Sequence, residues 1–162
     1  MTLARIGLGG NSVSARQDLA RAAQMLAKLP GTRLAAFSPV YASAPVGCPG
    51  RQREYCNAAA TLQTTLAPRR VFGMLQKLER RIQRRRRRRN APRRLDLDYL
   101  LHGAAVLRGK SLCLPHPRMR RRAFVLLPLA DISGKFYAGL PNARALCEAR
   151  GRCGGQTVRR LP

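Results

Sequence analysis

The chain has 162 residues, about the length of one ordinary domain. Apolar residues make up 45%, which suits a packed core and argues against disorder. The charge is extreme, because 32 Lys and Arg oppose only 7 Asp and Glu and give a formal net charge of +25. Such a charge indicates a partner rich in phosphate, although compositional drift at solvated positions is an equal alternative for arginines outside 80–94.

Several other classes of protein are excluded. The sequence has no run of 18 or more apolar residues, so we expect no membrane span. The N-terminus lacks the charged and then apolar pattern of a secretion signal. The five cysteines show no CxxC spacing and no pairing with histidine, which argues against a disulfide framework or a zinc site. We therefore expect a cytoplasmic monomer.

Apolar periodicity predicts six core elements in chain order: strand 3–8, helix 14–29, strand 33–43, strand 55–65, helix 69–83 and strand 95–101. Pro39 inside the second strand indicates an edge or a bulge. The order β-α-β-β-α-β predicts an α+β fold with a ferredoxin-like sheet and helices on one face. Loops at 44–53 and 84–94 separate the elements.

The segment after the sixth element is less regular. Gly103 opens a turn into 104–108, where a hairpin is one interpretation, and 109–123 is read as a loop. Residues 124–130 are apolar and predict a short buried helix or strand. A short helix is expected at 142–150, and the last ten residues are expected to be frayed. We expect a single domain over 1–162, with these extra C-terminal elements.

The strongest chemical signal is Asp96-Leu97-Asp98 at the predicted sixth element. Carboxylates at i and i+2 of a strand share one face, with backbones about 7 Å apart. This spacing suits Mg²⁺, which is held by one or two carboxylates together with substrate phosphates. A solvated acidic strand face is the alternative. The scarcity of acids in this chain favours the metal site.

The second signal is a run of six arginines, Arg84 to Arg89. A cationic loop beside a magnesium site suits phosphoryl transfer, because both offset charge on the transferred oxygens. The alternative is a nucleic-acid-binding or localisation patch. Carboxylates would repel a phosphate backbone without an intervening metal, and the chain has few aromatic residues for base stacking. We therefore expect nucleic acid to bind only non-specifically, through charge.

Two other segments give weak signals. His116, between two prolines, is more typical of a turn than of a catalyst when taken alone. The glycine-rich stretch 7–11 fits neither common phosphate-loop pattern and is read as a tight strand-to-helix turn. We interpret His102 as structural.

Several blocks together resemble the 6-hydroxymethyl-7,8-dihydropterin pyrophosphokinase family over residues 4 to 133: GLGGN (7–11), SPVYASAPVG (38–47), EYCNAA (54–59), LQKLE (75–79), NAPRRLDLDYLLHG (90–103) and LPHPRMRRRAFVLLPLADI (114–132). The resemblance implies folate biosynthesis, with diphosphate transfer from ATP, as co-substrate, to the hydroxymethyl oxygen of the pterin and release of AMP. It also implies two Mg²⁺ ions between Asp96, Asp98 and the triphosphate.

The resemblance further implies roles for individual residues. Arg84 and Arg93 match the catalytic arginines. The implied ATP-binding residues are Gln76, Glu79, Arg86, Arg89, His116 and Arg122. The implied pterin-binding residues are Ser43, Ala44, Val46, Tyr55, Asn57 and Phe124.

The chain departs from the family pattern at several positions, three of which lie in or near the loops around the predicted site. Gly10 stands where many relatives have Ser, Gln83 where the family has glycine, and Arg94 where Thr is usual. These changes make the loop more cationic and alter its hinge. The alternative function is therefore a basic nucleic-acid-binding protein, such as a catalytically impaired relative of the family.

Overall fold

The computed structural model describes residues 1–45, 53–83, 93–132, 136–137, 140–141 and 156–162. The strands are β1 (Thr2–Gly10), β2 (Thr32–Phe37), β3 (Tyr41–Ser43), β4 (Tyr55–Thr64), β5 (Asp96–His102), β6 (Leu107–Arg108), β7 (Cys113–Leu114), β8 (Phe136–Tyr137), β9 (Leu140–Pro141) and β10 (Val158–Arg160). The helices are α1 (Ala15–Ala27), α2 (Pro68–Ile82) and α3 (Ala123–Asp131), with a 3₁₀ turn at Met119–Arg121. Within these ranges, no helix combines the length and apolarity that a membrane span requires.

The main sheet has six strands in the order β10-β3-β4-β1-β5, and β2 also pairs with β4. All of its pairings are antiparallel. The helices α1 and α2 connect its strands in the order β-α-β-β-α-β. The predicted ferredoxin-like α+β fold is confirmed.

The predicted second strand is divided into β2 and β3. Both pair with β4, with Phe37 opposite Ala60 and Tyr41 opposite Asn57. Four steps along β2 and β3 thus match three along β4, so one extra residue bulges out of the ladder. Pro39 lies in this interval and has no N–H to donate, which agrees with the predicted bulge.

The sheet is covered on both faces. Ala58 and Ala60 of β4 belong to the core beneath α1 and α2, whereas Ala59 belongs to the core beneath α3. This alternation is the period of two expected for a strand buried on both sides. The two helices of the predicted repeat share one face as expected, and α3 covers the opposite face, which we call the α3 face.

The C-terminal elements differ in part from expectation. The strand β6 forms a hairpin with β7, and α3 settles the interpretation of 124–130 as a helix. The expectation of a frayed C-terminus is wrong at 158–160, because β10 pairs with β3. The helix expected at 142–150 lies outside the described residues.

The glycine-rich stretch is also different from its prediction as a tight turn. The strand β1 continues through Gly7 and Gly9 to Gly10, and the turn follows it. A Cβ atom on Gly10 would lie 2.4 Å from the carbonyl oxygen of Arg94. In this chain, the close approach of the two backbone segments therefore leaves no room for the side chain that many relatives carry at this position.

We expect Gly10→Ala to lower the free energy of unfolding by about 1–3 kcal/mol, because the backbone at Arg94 must move away from the new methyl group. Gly73→Ala is the matched control, since a Cβ there meets no atom within 4 Å and lies in α2. The control should gain roughly 0.5–1 kcal/mol from helix propensity. Urea unfolding of both variants measures the difference, and equal effects would contradict the close contact.

Candidate functional site

A strip of the α3 face on β1 carries no side chains. Gly9 lies in register with Asn57 on β4 and with Asp96 on β5, and Gly7 lies opposite Asp98. A Cβ atom on Gly9 would lie 3.4 Å from Oδ1 of Asn57, so the amide faces this strip. Two strand spacings place Asn57 and Asp96 on the order of 10 Å apart. A glycine floor thus separates an amide from a carboxylate pair.

The carboxylate pair lies on the α3 face of β5 and is matched by two arginines. Arg93 Nη1 donates to Oδ2 of Asp96 at 2.7 Å, and Arg122 Nη1 donates to Oδ2 of Asp98 at 2.9 Å. The side chains of Asp96 and Asp98 are 28% and 40% exposed. The hydrogen bond to Asp96 raises the pKa of Arg93, which keeps its guanidinium charged. The pair is therefore open to a ligand and already accepts cationic partners.

The backbone of Arg93 is fixed by the turn that follows β1. The N–H of Arg93 donates to Oδ1 of Asn11 at 2.8 Å, and the N–H of Asn11 donates to the carbonyl of Arg93 at 2.9 Å. Asn11 is buried. This reciprocal pair of bonds positions Arg93 beside Asp96.

A second contact holds the next residue. Arg94 donates to both carboxylate oxygens of Asp18, from Nε at 3.0 Å and from Nη2 at 2.8 Å. The hydroxyl of Ser14 donates to the same carboxylate at 2.7 Å. Burial alone would raise the pKa of Asp18, but the bonds from Arg94 and Ser14 outweigh it and lower the pKa. Asp18 therefore remains ionised on α1.

An open pocket of about 290 Å³ lies at the outer edge of β5. Phe72 of α2, Lys110 of the β6–β7 turn, His116 and Asp98 contribute to its lining. The N–H of His116 donates to the carbonyl of Leu100 at 2.9 Å, which holds this wall against the edge strand. Pockets for small molecules start near this size, at about 300 Å³.

The imidazole of His116 is neutral near pH 7. Burial lowers its pKa, Asp98 opposes this shift, and Arg122 and Arg118 reinforce it. The N–H of Arg118 donates to Nδ1 of His116 at 3.2 Å, which leaves the proton of the neutral ring on Nε2. The ring can therefore donate a hydrogen bond to an anion beside Asp98.

The other predicted ATP-binding residues in the described ranges lie on α2. Gln76 and Glu79 are half-buried and one turn apart, which places them on one side of the helix. The side-chain amide of Gln83 donates to Oε1 of Glu79 at 3.0 Å and also to the carbonyl of Leu95. The end of α2 is thereby fastened to the segment that enters β5.

Asn57 is buried at the opposite end of the glycine floor. Its Nδ2 donates to Oγ of Ser43 at 2.9 Å and to the carbonyl of Tyr55 at 3.3 Å. The N–H of Ala44 donates to the carbonyl of Thr157 at 3.3 Å, so the C-terminal segment uses this donor. These bonds fix the amide so that Oδ1 faces Gly9.

Phe124 lies at the start of α3, where the guanidinium of Arg122 sits 5.6 Å from its ring centroid. A cation over an aromatic face is attracted by the ring quadrupole. The ring thus supports the arginine that contacts Asp98. The predicted residues Val46, Arg84, Arg86 and Arg89 lie outside the described part of the chain.

Comparison with known proteins shows the family of the chain. Residues 5–134 match the family model described as 7,8-dihydro-6-hydroxymethylpterin-pyrophosphokinase (HPPK). The chain belongs to the HPPK family. It is 41% identical to 2-amino-4-hydroxy-6-hydroxymethyldihydropteridine pyrophosphokinase of Pseudomonas aeruginosa over 157 residues, which are 97% of this chain and 95% of the relative. The Haemophilus influenzae protein of the same name is 36% identical over 148 residues, 91% of each chain.

The candidate site also includes residues that the sequence patterns do not single out. Gly7 and Gly9 form its floor and Asn11 holds the backbone of Arg93, whereas the sequence of this stretch predicts a tight turn. Glycines at positions i and i+2 of a strand indicate such a floor, because they leave one face of the strand without side chains. The sequence around Phe72 and Lys110 does not indicate a binding site, because only the fold brings these two residues to the same pocket.

We expect the contribution of Asp18 to the stability of the protein to depend on pH. Its folded-state pKa lies below the ordinary 3.8, so the contribution is complete above that value and is lost as the pH falls through the lowered pKa. The difference in unfolding free energy between the wild type and Asp18→Asn should therefore shrink as the pH falls below 3.8. Urea titrations over a pH series measure it, and a difference that grows on acidification would contradict the assignment.

Proposed function

We propose that this HPPK family member transfers diphosphate from ATP to the hydroxymethyl group of 6-hydroxymethyl-7,8-dihydropterin and releases AMP, as a step of folate biosynthesis. The observation that carries the proposal is the row Asn57, Gly9, Asp96 across the sheet, with a pocket beyond Asp98 at the edge. The row offers an amide for a heterocycle, open space for a small substituent and carboxylates for a metal-bound phosphate.

The pterin would bind at the Asn57 end. Both N–H groups of the amide are used by Ser43 and Tyr55, so Oδ1, which faces Gly9, is the atom that would accept a hydrogen bond from the polar edge of a pterin ring. Ser43 and Tyr55 hold this amide in place, so it is oriented before the substrate arrives. Phe124 and Tyr55 offer flat surfaces for the ring. The hydroxymethyl group would then extend over Gly9 towards the carboxylates.

ATP would bind at the opposite end, with its base in the pocket at the outer edge of β5. The triphosphate would pass His116 and Arg122 towards Asp98. The neutral imidazole donates from Nε2, and Arg122 supplies fixed positive charge from the start of α3. These groups offset negative charge as the transferred diphosphate leaves AMP.

The reaction is a displacement at the β-phosphorus. The hydroxymethyl oxygen forms a bond to this phosphorus while the bond to the oxygen that bridges to the α-phosphorus breaks. AMP leaves with the bridging oxygen, and the hydroxyl proton is released. Arg93, held by Asn11 beside Asp96, steadies the transferred group. Catalysis of this kind consists mainly of positioning and electrostatic stabilisation.

Asp96 and Asp98 would hold Mg²⁺, and we propose two ions. Held by Asp96 and Asp98, Mg²⁺ would supply Lewis-acid polarisation of the phosphoryl oxygens. The fit is good, because Mg²⁺ needs only one or two carboxylates when phosphates and water complete its shell. In the ranges that the structure covers, no group of three or more His, Cys, Asp or Glu converges on one point. The two carboxylates would therefore depend on the substrate for the remaining ligands.

The remaining parts of the proposal concern residues and context. Arg84 would act with Arg93 in catalysis, Arg86 and Arg89 would contact ATP, and Val46 would line the pterin slot. We propose that the protein is a monomer in the cytoplasm. ATP is plentiful in that compartment, and its reducing conditions keep thiols such as Cys56 and Cys113 free.

We expect the purified protein to release AMP from ATP only when the pterin and Mg²⁺ are both present. Chelation with excess EDTA should stop the reaction, and added Mg²⁺ should restore it. Chromatographic measurement of AMP with each component omitted in turn tests this. Folded protein that forms no AMP with all components present would refute the proposed function.

We expect Asp96→Asn and Asp98→Asn each to lower kcat by about 10²-fold or more, because each removes a charge that holds the metal-bound phosphate. Glu54→Gln is the matched control, since Glu54 also pairs with an arginine, Arg159, at 2.7 Å but lies at the exposed rim. Its kcat should stay within about threefold of the wild type. Near-normal turnover of either Asp variant would overturn the metal assignment.

A further inference from the structure

We propose that Asp18, through its ion pair with Arg94, is a positioning residue that sets the geometry of Arg93 and Asp96 for diphosphate transfer. The inference rests on the proposed function. Asp18 lies in the first turn of α1 and belongs to neither the glycine floor nor the edge pocket.

The contact between Asp18 and Arg94 is built to fix orientation. The Asp18 side chain is 4% exposed, and both of its oxygens accept from one guanidinium. A two-pronged contact of this kind determines the angle of the guanidinium as well as its position. Ser14 donates a further hydrogen bond, and the N-terminal end of a helix favours a negative charge.

The helix that carries Asp18 is itself a rigid support. Leu19, Ala22 and Leu26 of α1 are fully buried in the core against the sheet. A displacement of Asp18 would therefore require repacking of the core. The carboxylate is a fixed point to which a neighbouring segment can be attached.

The segment attached to it is residues 93–95, which lead into the carboxylate strand. Asn11 holds the backbone of Arg93, Gly10 receives the carbonyl of Arg94, and Gln83 donates to the carbonyl of Leu95. The ion pair between Arg94 and Asp18 lies between the contacts of Arg93 and Leu95. Its loss would give the backbone between Arg93 and Asp96 more freedom to move.

The chemistry is sensitive to such freedom. Arg93 is 51% exposed and reaches Asp96 only three residues away, so its backbone largely decides where its guanidinium lies. A misplacement of about 1 Å can cost roughly 10²-fold in rate. Asn57 lies on β4, and apart from residues 97–99 of β5 the pocket lining comes from α2 and from 109–117, so substrate binding should be affected less than turnover.

The test compares Asp18→Asn, Arg94→Gln and the double variant. We expect each to lower kcat about 10- to 100-fold, with KM for ATP and for the pterin changed less than about threefold. Because the two residues act as a unit, the double variant should be no slower than the slower single variant. In hydrogen–deuterium exchange, the amides of 93–96 should exchange about tenfold faster or more in all three.

Arg33→Gln is the matched control. Arg33 also donates two hydrogen bonds to one side chain, since its Nε and Nη2 both donate to Oε1 of Gln63. Its partner on β4 lies six residues from Asn57, which is about 20 Å along the strand. This variant should keep both kcat and the exchange rates of 93–96. Circular dichroism melting confirms that the compared proteins are folded at the assay temperature, and the charge-neutral double variant covers the case in which a single variant does not fold.

Normal kcat in folded Asp18→Asn, additive losses in the double variant, or unchanged exchange at 93–96 would each overturn the inference. A parallel rise in KM would also contradict it, because a general loss of structure would affect binding as much as turnover. Absence of AMP release by the wild type is a separate result, which refutes the proposed function. The exchange measurement would then still decide whether Asp18 holds the segment.

Discussion

The packing of residues 93–95 against the end of β1 is the constraint on which the rest of the site depends. Gly10 allows the carbonyl of Arg94 to approach, and Asn11 exchanges hydrogen bonds with Arg93 across 82 positions of sequence. The strand that carries Asp96 and Asp98 begins immediately after this contact. The alignment of the carboxylates with the glycine floor and with Asn57 follows from how these two backbone segments meet.

Several of the few acidic residues of this basic chain pair with arginines near the candidate site. Four of the seven acidic residues form ion pairs with arginines in the described ranges, and three of those pairs lie in or beside the site. In these ranges the ion-paired carboxylates thus lie mostly in or beside the candidate site. Among the described residues, the ion pairs of the candidate site involve only Arg93, Arg94 and Arg122. Arg69 and Arg80 of α2 are exposed and take part in none of these pairs.

Features with local sequence signals could be predicted, and those that arise from pairing between distant segments could not. The helix α2 and the shared face of Asp96 and Asp98 follow from periodicity within a few residues, and the family resemblance added Asn57. The pairing of β10 had no signal, because three residues rich in arginine show no apolar alternation. Asp18 looks like any acid in the first turn of a helix until the fold brings Arg94 to it.

The strand β10 has a consequence for synthesis of the protein. It pairs with β3 across more than a hundred residues, and the carbonyl of Thr157 just before it accepts the N–H of Ala44, next to β3. A growing chain emerges from the ribosome in order, and contacts between remote segments form late. The carboxylate strand can dock as soon as residue 102 has emerged, whereas the edge beside Asn57 waits for residue 160. The end of the site at which we propose that ATP binds should therefore mature before the end at which we propose that the pterin binds.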